Sequence, residues 1–542
     1  MAAGEALDKA GGAGGGLFVR NATGLVRQVS LSDMLIMNTI GMNLGIGVIF
    51  LILQAQSFFP AGNMIVAVVI GTLLMGFTIT WVYSEFSSSM PRSGGDYVYV
   101  SRVLHPVLGW VLGWNQAVWL IFFWIGFNAW FVMTFAVPTT LQVLGYSTGH
   151  LGLVSVAETI SKPVWIFIFG TVINLFFAAV LIFRRAYWRY QRFAFLLAAL
   201  GLVITVALVM LRAGHFPAAW NSFASKQHGL RYGQILPAAA RAGYHPASGF
   251  SFGASLLMLP WVFFVVGYGV APAQISGEVK RASKSMFWGL SGAVLINGAV
   301  LAVITLIVTL ALGTGWLGAV GAVPSAGLGL AVQPGLNLFG SILTRNPILL
   351  ILMGLGFVLW ALNPSAVSEL MASRYMIAAG MDRVAPRWLS KVSDRFNTPV
   401  NAIIVCTIGG ELAILALINF PEASLLGALL SQMVAYILVG LAGVAFPYRL
   451  PQVWESGGGR RLLGIPRIAV AGAASVIVIA WMLISFAVNP TINGTFGVTR
   501  TLSLVVTLTV LIVGLIWYAV SFYFNRSRGI DLRDTYREVP PE

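Results

Sequence analysis

The chain has 542 residues, 58% of them apolar and only 9% charged, with a mean hydropathy of +0.86. A soluble protein carries about 25% charged side chains, so this composition excludes a water-soluble globule, a disordered chain, a disulfide-stapled secreted scaffold and a collagen-like fibre. What remains is an integral membrane protein. The net charge of +15 does not point to nucleic acid, because the basic residues are scattered between apolar runs instead of lying on one face. The single cysteine, Cys406, lies inside an apolar run and supplies neither a disulfide nor a metal cluster.

Residues 1–31 are polar and rich in glycine and alanine, and they read as a disordered cytoplasmic tail, not a cleaved signal peptide. A membrane-crossing helix needs ~20 apolar residues. Twelve such segments follow, at about 32–57, 62–88, 104–142, 162–183, 192–213, 250–277, 286–312, 347–379, 399–420, 423–447, 466–488 and 500–524. The predicted class is an all-α polytopic membrane protein with 12 transmembrane helices. Residues 32–213 form one group of five segments and 250–447 a second, followed by a last pair at 466–524 and a cytoplasmic tail at 525–542. The long connections 214–249 and 313–346 are rich in Gly, Ala and Pro and read as lids or gates. With the N-terminus inside, 25 of the 32 Lys and Arg residues fall on the cytoplasmic side, which predicts both termini in the cytoplasm of a cell-membrane protein.

Two segments are interrupted. The first contains Gly41-Met42-Asn43-Leu44-Gly45-Ile46-Gly47 and the sixth Gly267-Tyr268-Gly269-Val270-Ala271-Pro272. Helix packing accounts for any one of these glycines. The pair says more, since interruptions at corresponding positions of two successive halves point to a transporter binding site. The N–H groups freed in helix one suit an anion, and the carbonyls freed in helix six suit a cation. A site with both poles fits a zwitterion such as an amino acid.

Three stretches resemble the amino acid–polyamine–organocation permeases. One is Tyr83-Ser84-Glu85-Phe86 with Met90-Pro91-Arg92-Ser93-Gly94-Gly95-Asp96-Tyr97-Val98-Tyr99, followed by Gly109-Trp110 and Gly113-Trp114. The second is Gly277-Glu278-Val279-Lys280, with Ala282 where the family has proline. The third is Ser373-Arg374, Ala378 to Pro386 and Thr398-Pro399-Val400, with Arg383 in place of a glycine. The resemblance implies the leucine-transporter fold, two inverted five-helix repeats plus two peripheral helices. It also implies that Gly45 and Gly47 belong to a carboxylate-binding turn, with Ile46 where a small serine is usual.

Candidate pocket residues are Asn43, Gly45, Ile46 and Gly47 from helix one, and Phe122, Phe123, Trp124 and Asn128 from helix three. Helix six adds Phe264, Gly267, Tyr268 and Gly269, and helix eight Trp360 and Asn363. Gly269 stands where the family often has a polar or acidic residue. A second substrate cation would lack a partner there, so a neutral, apolar or aromatic amino acid is expected. A cationic amino acid or polyamine exchanger is the alternative, and a sensor on the same fold is another.

Charges inside a bilayer are functional by default. Glu85 and Glu278 end spans two and six, where Arg92 or Arg374 are the expected partners in gating pairs. Ser365, Ser368 and Glu369 share a helical face and are candidates for ion coupling. Three readings stay open: a sodium ion at Ser365 and Ser368, a proton on Glu369, or a plain pair with an arginine. Glu411 reads as a structural contact. Span five has no lysine, and the five histidines fall in loops or at span ends. There is no His-Glu-x-x-His motif, phosphate loop or cysteine cluster, so neither an enzyme nor a bound cofactor is expected beyond a coupling ion. The expected partners are the amino acid and membrane lipid, for a monomer or a homodimer.

Overall fold

The computed structural model describes residues 25, 27–420, 428–496 and 501–536. The expected N-terminal tail falls largely outside them, as do residues 537–542 of the expected C-terminal one. Among the described residues the chain is helical apart from a two-residue hairpin, Arg461–Leu462 with Ile465–Pro466. Eleven helices are long and apolar enough to cross a membrane. The first is divided into α1 (Leu31–Gly41) and α2 (Leu44–Phe50). The next four are α3 (Met64–Ser89), α4 (Pro106–Thr148), α5 (Pro163–Ile182) and α6 (Arg185–Leu211). A shorter apolar helix follows as α7 (Phe252–Val266), then α8 (Ala282–Leu312) and α9 (Pro347–Met381). The last are α10 (Val400–Asn419), α11 (Ala428–Arg449), α12 (Arg467–Val488) and α13 (Thr501–Arg526).

Many of these boundaries fall close to the apolar runs, where start signals mark them, but α6 begins at Arg185 instead of 192, α4 runs on to Thr148 instead of 142, and α7 ends at Val266 instead of 277. Ser30 and Asp33 form a reciprocal capping box at α1. Proline occupies the first turn of α4, α5 and α9, where its missing N–H costs nothing. At ~1.5 Å per residue the 43 residues of α4 reach about twice the ~30 Å hydrocarbon core. Two π-helical stretches, Leu120–Gly126 and Val132–Ala136, interrupt it.

Both interruptions are present, but their details differ from the sequence expectation. In helix one the break is at Met42-Asn43, where Asn43 takes the left-handed conformation at φ 49°. Gly45 and Gly47 lie inside α2. Asparagine tolerates left-handed backbone better than other non-glycine residues, so the glycines are not needed to make the turn. The sixth segment is helical only to Val266. It then runs through Gly267–Val270 into short 3₁₀ turns at Ala271–Gln274 and Ser276–Glu278.

The glycine pair after α3 has a direct physical basis. Gly94 and Gly95 sit at φ 95° and 42°, and a side chain on Gly95 would strike the Gln274 amide. This turn launches the short helix Gly95–Val103, which packs on α4. The two motif tryptophans face the other way: Trp110 Nε1 donates to the Gly514 carbonyl (2.8 Å) and Trp114 Nε1 to that of Val510 (3.0 Å), pinning α13. That helix is otherwise the most peripheral, only 22% buried along its apolar window. Arg383 adopts φ 60° where the resembling family has glycine, and Asn525 Nδ2 holds its carbonyl at 3.0 Å.

Helices α6 and α9 cross where Gly201 and Gly356 meet: a Cβ on Gly201 would lie 2.8 Å from the Gly356 Cα. Small residues let transmembrane helices approach this closely. Gly356→Leu should therefore force the pair apart at a cost of about 1–3 kcal/mol. The expected result is an inserted protein with a clearly lower melting temperature in detergent, measured beside Ile351→Leu on the exposed face of the same helix.

Candidate functional site

The centre of the molecule is built from the break in helix one. Asn43 N–H donates to the Ile40 carbonyl, and the Asn43 carbonyl accepts from Gly47 N–H, both at 2.9 Å. The amides of Leu44, Gly45 and Ile46, the first three of α2, are left without a backbone acceptor. Helix N-termini of this kind attract anions. Gly45 and Gly47 are glycines for reasons of approach: a Cβ on Gly45 would enter the Trp360 ring and one on Gly47 would reach Val265. They allow α2 to press against α9 and α7.

An aromatic wall stands beside the second break. Trp124 meets Tyr268 edge-on at 4.7 Å, Phe264 meets Tyr268 at 6.2 Å, and Phe123 stands against Trp124 at 4.9 Å. Four buried polar atoms on these elements have no partner among the described residues: Asn43 Oδ1, Asn128 Nδ2, the Tyr268 hydroxyl and Ser365 Oγ. All four belong to residues that the sequence singled out.

Other candidates are engaged elsewhere. Trp360 Nε1 donates to the Ala198 carbonyl (3.0 Å), and Asn363 Oδ1 accepts from the Tyr190 hydroxyl (2.7 Å), so both belong partly to the α6–α9 contact. Phe122 pairs with Trp119 at 6.4 Å, away from the Tyr268 group. The carbonyls expected to face a substrate ammonium already hold protein donors. Gly267 accepts from the Tyr436 hydroxyl, and Gly269 from Asn38 Nδ2 at 3.0 Å. Backbone freed inside a membrane has to be satisfied, and here side chains do it.

A set of buried ionic contacts lies on the arginine-rich side. Arg374 Nε donates to Glu278 Oε1 at 2.8 Å with both side chains 1% exposed, the pair expected from sequence. Glu85 differs from expectation. Its carboxylate takes Arg467 Nε (2.6 Å) and Trp81 Nε1 (3.1 Å) instead of Arg92 or Arg374. The start of α12 sets the Arg467 guanidinium 4.5 Å over the Trp81 ring, next to that carboxylate. The Arg92 carbonyl accepts from Ser276 Oγ at 2.9 Å, tying its loop to the segment after α7.

Sequence reasoning missed three carboxylates. Asp96 is fully buried and accepts from the Tyr83 hydroxyl (2.8 Å), Gln274 Nε2 (3.1 Å), Tyr97 N–H (3.0 Å) and the Tyr375 hydroxyl. Asp33 on α1 receives Arg192 Nε (2.7 Å) and Nη2 (2.9 Å) from α6. Asp382 takes both terminal nitrogens of Arg102 (2.6 and 2.7 Å) and the Tyr97 hydroxyl (2.6 Å). The usable signal was an acid within an otherwise apolar or aromatic motif, as in Gly95-Asp96-Tyr97.

Glu369 is buried but joins neither expected serine nor an arginine. Its Oε1 accepts from Thr407 Oγ1 at 2.8 Å, so it faces α10. Ser368 Oγ donates to the Pro364 carbonyl. Glu411 bonds Thr171 Oγ1 (2.6 Å) and Asn174 Nδ2 (3.1 Å) on α5.

Two interrupted helices within a bundle of membrane-crossing helices define a multi-pass membrane protein with the architecture of a transporter. The chain matches the amino acid permease family over residues 34–516 and belongs to it, within the amino acid–polyamine–organocation superfamily. It is 24% identical over 383 residues to the branched-chain amino acid permease BcaP of Lactococcus lactis subsp. cremoris (strain MG1363), covering 66% of this chain and 70% of that protein. It is thus an amino acid transporter and not an enzyme.

The buried Arg374–Glu278 pair yields a direct test. Arg374→Met removes one half of a buried ion pair, at a cost of about 3–5 kcal/mol, so melting temperature and uptake should both fall. Adding Glu278→Leu removes the other half and should return part of the melting temperature without returning normal uptake.

Proposed function

We propose that the protein carries neutral, apolar amino acids of the branched-chain type across the cytoplasmic membrane by alternating access. The observation that carries this reading is the trio of unbonded amides at Leu44, Gly45 and Ile46, a receptor for the substrate carboxylate beside the Trp124–Tyr268 wall. Ile46 and Gly269 favour an uncharged side chain, since neither supplies a partner for a second cation. The name of the Lactococcus relative agrees with that preference. In this reading α7 and its 3₁₀ continuation count as one divided span, giving twelve spans as two inverted repeats of five (32–213 and 250–447) plus a peripheral pair. Both termini lie in the cytoplasm, as the charge bias requires.

In proteoliposomes, leucine, isoleucine and valine should compete for uptake of labelled substrate, while arginine, lysine and putrescine should not. Strong competition by arginine alone would select the cationic exchanger. Gly47→Leu, which pushes α2 off Val265, should abolish uptake in a protein that remains monodisperse. Counterflow of labelled amino acid separates a transporter from a sensor.

We take Glu369 as the coupling residue and the proton as its ion. Among the described residues it forms no ion pair, and an uncompensated charge at that depth costs at least ~2.5 kcal/mol. Glu369→Gln should spare exchange of amino acid for amino acid and end uphill uptake driven by a pH gradient. A loss of sodium stimulation instead would assign the ion as sodium, and unchanged gradient-driven uptake would remove Glu369 from the mechanism.

A further inference from the structure

Where α4 begins and α11 and α13 end, an open cavity of about 800 Å³ lies on the arginine-rich side. Its lining includes the basic Arg102, His105 and Arg449 and the apolar or aromatic Val107, Tyr518 and Phe522. No acidic side chain lines it among the described residues.

The three basic groups differ in how far the protein satisfies them. Arg102 is paired with Asp382, yet its Nε is buried without a partner and its side chain is only 2% exposed. His105 Nδ1 accepts the Val107 N–H at 3.3 Å, which leaves its Nε2 as a donor. Arg449 uses Nη1 alone, on the carbonyls of Val103 (3.0 Å) and Leu104 (2.9 Å), and among the described residues no carboxylate pairs with it. One cation without an acidic partner among the described residues and one spare N–H donor, on His105, thus stand beside apolar side chains. The site lies level with the first residue of α4 and the last turn of α13, the height of the lipid headgroups.

We infer that this cavity binds an anionic phospholipid, with its phosphate on Arg449 and His105 and its chains along Val107, Tyr518 and Phe522. Basic pockets between transmembrane helices recognise headgroups in this way. The other occupants that a basic pocket admits, a free phosphate or a zwitterionic lipid, fit less well. The first leaves the apolar side chains uncovered, and the second brings a cation to a site without an acid. The lipid would also steady the gate side of the molecule. Tyr536 lines the same cavity, its hydroxyl bonds that of Tyr97 at 3.1 Å, and Tyr97 adjoins Asp96.

The test uses the full-length protein, purified and stripped of lipid, with native mass spectrometry and melting curves as readouts. Phosphatidylglycerol should be retained and should raise the melting temperature; phosphatidylcholine should do neither, and inorganic phosphate should not displace the bound lipid. Arg449→Gln should lower retention about fivefold, the share of one basic residue near a membrane surface. Ala519→Trp, which narrows the cavity and keeps every basic group, should lower it as well. Equal retention of the two lipids, displacement by phosphate, or unchanged retention in both variants would each overturn the inference.

Discussion

The hydrocarbon core contains no water to bond a stray peptide group, so each N–H and C=O must be satisfied within the protein. Most of this structure follows from the places where a helix cannot do that. Asn43 turns left-handed and opens three amides, and Gly267 to Val270 releases carbonyls. The two sites are resolved in opposite ways. Tyr436 and Asn38 cover the carbonyls with protein donors, whereas the amides of Leu44 to Ile46 keep their capacity for an anion. The two breaks are thus asymmetric: the amides after Asn43 have no backbone acceptor among the described residues, while the carbonyls after α7 are largely taken up by the fold.

Much of this was legible in the sequence because a bilayer imposes a length and a composition. The apolar runs located the spans, though with ends displaced by several residues in α4, α6 and α7, and the two glycine-bearing interruptions located the breaks. Helix one is instructive. Asn43 makes the left-handed turn, and Gly45 and Gly47 serve close approach to Trp360 and Val265. Sequence reports that a position must be small or permissive without saying which, since that depends on a neighbour more than 200 or 300 residues away. The same limit explains Glu85. A carboxylate near the headgroups was correctly expected to find an arginine, but Arg467 is brought to it by α12, which the local motif does not contain. Asp96 escaped notice because its partners Tyr83, Gln274 and Tyr375 come from three separate elements.

The two sides of the molecule are closed by different physics. On the arginine-rich side, Asp33–Arg192 and Glu278–Arg374 link helices one and six to α6 and α9, and Asp96 ties Gln274 to Tyr375. On the other side the contacts are apolar and aromatic. Tyr232 stacks on Trp316 at 5.0 Å, and Gly321 lies against the Leu53 backbone beside a cavity of about 220 Å³. Separating a buried ion pair loses its attraction but regains hydration, and the two nearly cancel. Wetting an apolar contact has no such compensation and costs about 25 cal/mol per Å². The arginine-rich side is therefore held by ionic contacts whose separation is partly offset by hydration, and the opposite side by apolar contacts whose wetting is not offset.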